Sequence, residues 1–411
     1  MKKIYSLLIL FSLFFRAQNY QVQTFNLTNS LIPFQNLNDL VIDHTDNVWF
    51  SGQISGGEWG GLGKKNGSQF SLYNTSNSGI SENYIGQIRT DLANTIWTLH
   101  QHSVSKFDGT NWTVFNTSNH PFFSKNLYSF TITPNNEIWI LGEEGTANSF
   151  VLRYNGSTWT KYDSNDYPLI SSISWYSNMV ADEQNRVWIS VQQQLIYFDG
   201  NNWGTKPMAD GFKVIKAQQN KVYFVGSGGA YELNVINDVI TNLNQNCNPQ
   251  NCAASSLDID NQGKVWLSQI AECGEGSVQN INDCIVLSNS QSADFPLSSI
   301  YNISVDSQNS VWAASTLGLV KISEQSTLSN QEISSQNFVK ISPNPAEDFL
   351  CILTKSKINK VEVIDFSGRI VLKNSYLEDQ KLDVSTLVKG NYLLKIKFEN
   401  NLENTLPFIK K

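Results

Sequence analysis

A short pattern, an aliphatic residue followed by an aromatic one, recurs seven times through the middle of the chain and constrains its fold more than any other feature. Successive copies lie 35 to 49 residues apart, and their mean spacing of about 44 residues is the length of one four-stranded propeller blade. The copies are Val48-Trp49, Ile96-Trp97, Ile138-Trp139, Val187-Trp188, Val222-Tyr223, Val265-Trp266 and Val311-Trp312.

Most copies carry the same turn-forming residues just before the aromatic position. Asp stands six residues before it in five copies, with Thr133 and Ala217 as exceptions, and Asn stands three residues before it in five. These side chains bond their own backbone in tight turns, and Asn tolerates positive φ. Each copy therefore predicts strand A, a turn and strand B. The residues are Asp43, Asp91, Asp182, Asp260 and Asp306, with Asn94, Asn136, Asn185, Asn220 and Asn309.

A second hairpin signal follows strand B in several copies. Asn66-Gly67, Asp108-Gly109, Asn155-Gly156 and Asp199-Gly200 precede an aromatic residue, and such dipeptides favour the two-residue turns of β-hairpins. They predict strands C and D of a four-stranded unit that must stack on its neighbours to bury both faces.

The final copy lacks a strand D, and a matching strand is found at the start of the chain. Residues 22–29 (VQTFNLTN) resemble the D strands at 70–77 and 112–119. We expect this segment to complete the last sheet and so remove two exposed sheet edges. The predicted fold is all-β: a seven-bladed β-propeller over residues 19–325, followed by a small β-sandwich. A linear β-array is the alternative.

The segments NVWFSG (47–52) and SVWAASTLGLVKI (310–322) resemble the short propeller repeats of bacterial two-component regulators and related secreted Bacteroidetes proteins. The resemblance covers roughly residues 20–325 and implies the fold. It implies little about activity, and because no kinase segment follows, the sensor role is not carried over.

The C-terminal region differs in composition from the repeats. A polar linker at 326–337 is followed at 338–411 by alternating strands and Gly turns, which predict the sandwich. This region resembles the type A C-terminal sorting domain of the type IX secretion system, which implies that secretion machinery as a partner, then release or surface attachment. The matching residues are Pro343, Asn344, Pro345, Gly368, Gly390, Tyr392, Lys410 and Lys411.

The N-terminus predicts a secretory signal peptide at residues 1–18. Lys2 and Lys3 precede an apolar run from Ile4 to Phe15, about 18 Å of helix against a bilayer core of roughly 30 Å. No other stretch is long and apolar enough to predict a membrane span. We expect Sec export through the periplasm to the outer-membrane surface or the medium.

Charge excludes a nucleic-acid partner. Residues 338–411 have a net charge of +3, whereas the region between them and the leader has −13. An acidic body of this kind repels nucleic acid.

Four cysteines crowd around the sixth copy, in a protein predicted to reach an oxidising compartment. Cys252 with Cys273, or Cys247 with Cys252, is a plausible disulfide, and Cys284 is the fourth. The sequence does not choose among the pairings, and a zinc site is the disfavoured alternative because no CxxC or nearby His supports it. Cys351, in the sorting region, is expected to be a buried small hydrophobic residue.

Two other groups of residues have a metal-binding alternative. His100, His102 and His120 could share one face and ligate a metal, but we expect ordinary hairpin residues. Asp258 and Asp260 could bind calcium, but the recurrence of such aspartates at turns favours turn capping. We therefore expect no metal and no cofactor.

The sequence contains no recognisable catalytic motif, and we predict no catalytic residue. The favoured hypothesis is a monomeric, non-catalytic surface module that binds a protein or glycan through the loops carrying Trp59, His102, His120 and Cys273. Two alternatives are a polysaccharide lyase or glycosidase on the same scaffold, and a structural surface protein without a specific ligand.

Overall fold

The computed structural model describes residues 20–324 and 339–411, apart from 145–147, 192–193, 209–212, 227, 244–252, 270–275, 290–294, 297, 355–356, 366–368, 375–380 and 399–402. The signal peptide and the linker therefore lie outside the described residues, as do Cys247, Cys252, Cys273 and Gly368. The chain divides into two compact units, residues 1–325 and 326–411.

In the first unit, the described residues form seven four-stranded antiparallel sheets, numbered here in chain order, with strands A to D from one edge to the other. The bounds are, for sheet 1, β2 Asn36–Ile42, β3 Val48–Gln53, β4 Trp59–Asn66 and β5 Gln69–Tyr73; for sheet 2, β6 Gln87–Thr90, β7 Ile96–Leu99, β8 Val104–Phe107 and β9 Trp112–Phe115; for sheet 3, β10 Asn126–Ile132, β11 Ile138–Glu144, β12 Asn148–Tyr154 and β13 Trp159–Asp163; for sheet 4, β14 Asn178–Ala181, β15 Val187–Val191, β16 Gln194–Phe198 and β17 Trp203–Pro207; for sheet 5, β18 Lys213–Gln218, β19 Lys221–Gly226, β20 Gly229–Asn234 and β21 Val239–Asn242; for sheet 6, β22 Ala254–Ile259, β23 Val265–Gln269, β24 Ser277–Asn280 and β25 Ile285–Ser288; and for sheet 7, β26 Ile300–Val305, β27 Val311–Ser315, β28 Gly318–Glu324 and β1 Tyr20–Phe25.

Sheet 7 combines strands from both ends of the unit. Strand β1 pairs antiparallel with β28, from Tyr20 opposite Glu324 to Phe25 opposite Leu319. The prediction that the leading segment completes the last sheet is confirmed, although the strand spans 20–25 rather than 22–29. Asn26 ends it, because its side chain accepts a hydrogen bond from the Thr28 amide at 2.9 Å and turns the backbone.

Strand A lies at the centre of the unit. The A strand of each sheet contacts that of the next, and β26 of sheet 7 contacts β2 of sheet 1. Because strands alternate in direction, the A–B and C–D turns lie at one end of each sheet, called the turn side here. The B–C turns and the D–A loops lie at the other end, called the loop side. Short 3₁₀ turns occur in two D–A loops, at Pro121–Ser124 and Pro168–Ser172.

The aromatic residue of each strand B fills the space between neighbouring sheets, as predicted. Trp139, for example, packs on Met179 and Ile189 of the next sheet, and Trp312 of sheet 7 packs on Leu40 and Phe50 of sheet 1. Burying one large aromatic side chain contributes roughly 2–3 kcal/mol. The repeated aromatic position therefore stabilises contacts between sheets.

The second unit contains two sheets around one apolar core. Leu350 and Ile352 of the first sheet pack with Val361, Leu394 and Phe408 of the second. The first sheet has the order β29-β30-β33 and the second β32-β31-β34-β35, with bounds β29 Val339–Ser342, β30 Phe349–Thr354, β31 Ile358–Asp365, β32 Ile370–Asn374, β33 Lys381–Asp383, β34 Gly390–Phe398 and β35 Glu403–Lys410.

Cys351 corrects one prediction, because it is a free thiol and only half-buried. Along β30 the fully buried positions are Leu350 and Ile352. Since side chains alternate across a strand, Cys351 lies on the opposite face from the core.

Candidate functional site

The turn side is held by a buried bond that most sheets repeat. In sheet 1, Asp43 accepts hydrogen bonds from the Thr45 and Asn47 amides at 2.9 and 3.0 Å and from Trp49 Nε1 at 2.8 Å. Burial would raise the pKa of Asp43, but the bonds from Trp49, Asn47 and Thr45 outweigh it and lower the pKa. The same bond to indole Nε1 joins Asp91 to Trp97, Asp182 to Trp188, Asp260 to Trp266 and Asp306 to Trp312.

Sheets 3 and 5 show what the two sequence exceptions change. Thr133 bonds the Glu137 amide at 3.0 Å and so keeps the turn, but it leaves Trp139 Nε1 buried without a partner among the described residues. In sheet 5, Ala217 accompanies Tyr223, which has no indole N–H to satisfy.

The turn asparagines have a second role that the sequence did not reveal. All five predicted positions have positive φ, near 60°. Several also join neighbouring sheets: Asn94 accepts a bond from the His44 amide, and Asn185 from the Asn135 amide, both at 2.8 Å. Asp46 occupies the related position of sheet 1 and accepts a bond from Ser307 of sheet 7 at 2.9 Å. The turn side thus carries polar links between several neighbouring sheets, and these links have a structural role.

The two candidate calcium ligands serve different purposes. Asp260 caps its turn, as predicted, by accepting bonds from the Gln262 and Lys264 amides, each at 2.9 Å. Asp258 lies on strand β22 and pairs with Lys216, so turn capping is wrong for this residue. Among the described residues, no group of three His, Cys, Asp or Glu side chains could hold a metal ion.

Two of the predicted binding residues lie on the loop side, each against a neighbouring loop. Trp59 is half-buried and packs edge-on against Tyr84, with ring centroids 4.8 Å apart. His102 is exposed, and its Nδ1 lies 3.0 Å from the Lys125 carbonyl oxygen. These contacts join a B–C turn to a D–A loop.

His120 is better placed for packing than for ligand contact. Its ring stacks on Phe122 at 5.4 Å and lies 5.3 Å from Trp159. Desolvation lowers its pKa, and its Nδ1 has no partner in the described part of the chain. No described hydrogen bond or ring contact joins Trp59, His102 and His120 to one another.

His100 lies in a buried network and is only 1% exposed. Its Nδ1 donates to the Tyr84 carbonyl at 2.6 Å, so the neutral ring presents Nε2 as an acceptor to Thr98 and Ser105 hydroxyls, both at 3.0 Å. Burial lowers its pKa. The network continues through Ser81 and Ser103 to Glu82.

Among the described residues, the most exposed aromatic side chains of the loop side were missed by the sequence analysis. Trp175 and Tyr176 lie in the D–A loop before β14 with exposures of 66% and 71%, and their ring centroids are 3.6 Å apart. A signal was present: of the 11 Trp, nine occupy the repeated positions at strand B or the start of strand D, and Trp59 and Trp175 do not.

A cavity of about 540 Å³ lies among the A strands of six sheets and is called the axial cavity here. Its lining includes the charged residues Asp39, Arg89, Lys213, Lys216 and Asp258. Asp39 accepts hydrogen bonds from the Ile88 amide at 2.7 Å and from Asn302, and Arg89 Nη1 lies 3.6 Å from its carboxylate.

Polar side chains from different A strands are also linked near the axis. Gln87 donates to Asn178 at 2.8 Å, Ser129 donates to Asn178 at 2.7 Å, and Ser256 donates to Asn302 at 2.6 Å. These residues occupy equivalent positions in their strands A. Each pairs with the strand B residue that follows the repeated aromatic by two positions. Because the positions are scattered through the sequence, only the assembled fold places them together.

In the C-terminal unit, the proline-asparagine-proline motif lies beside the end of the chain. Asn344 accepts a hydrogen bond from the Ile409 amide at 2.9 Å, and the Ala346 amide donates to the Ile409 carbonyl at 2.7 Å. Tyr392 donates to the Val388 carbonyl at 2.7 Å, and Gly390 pairs with Lys410.

Residues 340–411 match the family model described as "Secretion system C-terminal sorting domain". The C-terminal region is a sorting domain of the type IX secretion system. The sorting domain marks the protein for export to the cell surface or for secretion. No curated protein matches the chain. Within the described residues, no helix has the length and hydropathy needed to cross a membrane.

Solved structures similar to the chain share its propeller fold. A streptogramin B lyase has 13% identity and a TM-score of 0.57, with 75% of this chain and 98% of that one covered. Virginiamycin B lyase from Staphylococcus aureus has 12% identity and a TM-score of 0.55, with 75% and 100% covered. The extracellular domain of a hybrid two component system from B. thetaiotaomicron has 13% identity and a TM-score of 0.57, with 95% and 57% covered. At these identities the likeness concerns the fold.

The disulfide prediction concerns residues outside those described, apart from Cys284. The sulfur of Cys284 is disulfide-bonded. Cys284 was not among the favoured candidates, which were Cys247, Cys252 and Cys273, and the predicted pairings stay predictions.

Proposed function

We propose that the first unit is a closed seven-bladed propeller and that the sorting domain is a small β-sandwich. The seven four-stranded sheets and the pairing of β1 with β28 support the ring. The core shared by the two C-terminal sheets supports the sandwich.

We infer the export route from the sequence. Residues 1–18 serve as the signal peptide for Sec transport, residues 326–337 link the propeller to the sorting domain, and a disulfide forms among the cysteines around sheet 6. N-terminal sequencing of the exported protein tests the first inference, because a mature chain that still begins at Met1 contradicts it.

We propose that the propeller is a non-catalytic module that binds a glycan or protein outside the cell. The observation that carries this proposal is the exposed pair Trp175 and Tyr176 on the loop side. Exposing two large aromatic rings to water is unfavourable, and such rings supply much of the contact energy in many binding sites. Their apolar faces suit the C–H face of a sugar ring or an apolar peptide side chain.

The enzymatic alternative has weaker support. Propeller lyases occur among the similar structures, but at 12–13% identity. On the loop side, His100 and Glu82 belong to one hydrogen-bonded network and are the candidates considered for a base and a carboxylate. Because both ring nitrogens of His100 already lie within hydrogen-bond distance of partners and the side chain is buried, it is poorly placed to accept a substrate proton.

A binding screen of the purified full-length protein against glycans and extracellular proteins tests this function, with product analysis for polysaccharide cleavage. We expect saturable binding that Trp175→Ala with Tyr176→Ala weakens at least tenfold. The matched control is Leu92→Ala with Ile236→Ala, two exposed apolar residues of the turn side, and it leaves binding unchanged.

Three outcomes contradict the proposal. If the two double variants lose binding affinity equally, the aromatic pair on the loop side is not the binding site. Appearance of new reducing ends or unsaturated products favours the enzyme. Absence of saturable binding across the screen favours a structural surface protein.

A further inference from the structure

The axial cavity carries more positive than negative side chains. Three cations and two carboxylates line it: Arg89, Lys213, Lys216, Asp39 and Asp258. This excess lies in a unit whose overall charge is strongly negative, so it is a local property of the A strands.

Both carboxylates are already committed to partners. Asp258 pairs with Lys216 and accepts a bond from the Val305 amide at 2.9 Å. Asp39 faces Arg89 and accepts bonds from Ile88 and Asn302. These arrangements pair two of the three cations.

Lys213 is the remaining cation. It lines the cavity with an exposed side chain, and no hydrogen bond or ion pair of its ammonium is found among the described residues. Although the side chain is exposed to the cavity, desolvation by the surrounding protein lowers the pKa of Lys213. The negative charge of Asp39 opposes this effect, and the positive charge of Arg89 adds to it. A cation that lines a cavity and has no described ion-pair partner is stabilised by a bound anion, since its charge interacts more strongly beside protein than in bulk water.

The rest of the lining narrows the class of anion. The guanidinium of Arg89 presents a planar fork that suits a carboxylate. The Ser256 hydroxyl donates to Asn302 and retains acceptor lone pairs for a ligand hydroxyl group, and Tyr301 contributes an exposed aromatic ring. A volume of about 540 Å³ lies within the range of small-molecule sites, roughly 300–1,000 Å³.

We propose that the axial cavity binds a small carboxylate that also carries hydroxyl groups, of up to monosaccharide size. Its carboxylate lies between Arg89 and Lys213, and its hydroxyl groups bond the polar side chains around the axis. This site is separate from the loop-side aromatic pair and does not depend on the function proposed for that pair.

Calorimetric titration of the full-length protein with glucuronate, glucose and sulfate at low ionic strength tests the proposal. Glucuronate is expected to bind saturably, with glucose at least tenfold weaker because it lacks the charge, and sulfate at least tenfold weaker because it lacks the hydroxyl groups. Equal binding of glucuronate and glucose overturns the charge argument, and equal binding of glucuronate and sulfate overturns the ligand class.

Variants locate the site. Lys213→Gln is expected to weaken glucuronate binding at least tenfold while leaving the fold intact, because it removes a cation without a described partner. Lys213→Arg should recover most of the affinity. The matched control, Lys206→Gln, removes a lysine that pairs with Asp238 at the outer edge of sheets 4 and 5 and should leave the affinity unchanged.

Asp39→Asn provides a test of opposite sign. It removes one negative charge from the cavity, so glucuronate should bind more tightly, by about tenfold. Glucuronate binding that is unaffected by Lys213→Gln, or weakened by Asp39→Asn in a protein whose melting temperature is unchanged, overturns the assignment.

Discussion

The turn side and the loop side of the propeller sheets are built by different rules. On the turn side, five sheets repeat one bond from a buried Asp to an indole Nε1, and Asn or Asp side chains join several neighbouring turns. On the loop side, the connections differ in length and content, and one of them presents Trp175 and Tyr176 to solvent.

The difference separates residues that maintain the fold from residues free to define a ligand. Repeated buried hydrogen bonds are costly to break because each leaves a polar group unsatisfied. Loops held by such a scaffold tolerate change and commonly carry function. Variants on the two sides should therefore differ in what they damage, in stability on one side and in binding on the other.

The largest expected effect is on the turn side. Asp43→Ala removes the acceptor for two backbone amides and for Trp49 Nε1, so the free energy of unfolding should fall by roughly 3 kcal/mol. Urea denaturation measures it. The control, Asp108→Ala, removes a similar turn acceptor at an exposed position and should shift the midpoint far less. Equal shifts would contradict a special role for the buried bond.

The second-largest effect is expected on the pH dependence of stability, and it tests whether buried loop-side residues such as His100 also stabilise the fold. His100 has a lowered pKa because of burial, so the unfolded chain takes up more protons than the folded protein as the pH falls. The stabilising contribution of neutral His100 is fully present above the unfolded pKa of about 6.5 and is lost as the pH drops toward the folded pKa. The loss is about 1.4 kcal/mol for each unit by which folding lowers the pKa of His100.

Denaturation at pH 7 and pH 5 should show this loss in the wild-type protein. His100→Gln should abolish that part of the pH dependence. The control variant His102→Gln, at an exposed position, should retain it. A variant at position 100 with the wild-type pH dependence would show that another group is responsible.

A gain of stability is expected where the repeat is incomplete. Thr133→Asp supplies the missing acceptor for Trp139 Nε1 and should raise the free energy of unfolding by about 1 kcal/mol. The same change in sheet 5, Ala217→Asp, meets Tyr223 rather than an indole N–H and places a carboxylate at a buried position, so it should lower stability. Thermal unfolding of both variants measures the contrast.

The smallest effect on stability is expected at the exposed pair. Trp175→Ala removes a side chain that is 66% exposed, so stability should change by less than about 0.5 kcal/mol. A larger loss in thermal unfolding would mean that this residue belongs to the scaffold, which would erase the distinction between the two sides.

The sequence predicted those features that depend on local chemistry. Spacing identified the strands, and the Asp and Asn positions identified the turns, because Asx side chains and positive φ act within a few residues. It did not predict the bond from Asp43 to Trp49 or the bond from Asn94 to the neighbouring sheet, since these depend on side-chain geometry across strands and sheets.

The candidate sites were less accessible to sequence reasoning for the same reason. Lys213 and Arg89 are far apart in the chain and become neighbours only when the A strands meet at the axis. Trp59 and His120 appeared suited to binding, but in the fold they pack against Tyr84 and Trp159. Exposure, which decides between the two roles, depends on packing that residue type alone does not reveal.

The pairing of β1 with β28 has a consequence for synthesis and transport. Strand β1 pairs with a strand far downstream in the chain: Tyr20 donates a hydrogen bond to Glu324 across a separation of 304 residues. A nascent or truncated polypeptide that stops short of Gly318 leaves its first strand without a hydrogen-bonding neighbour. Sheet 7 can therefore form completely only after β28 has been synthesised, because β28 is the strand that pairs with β1.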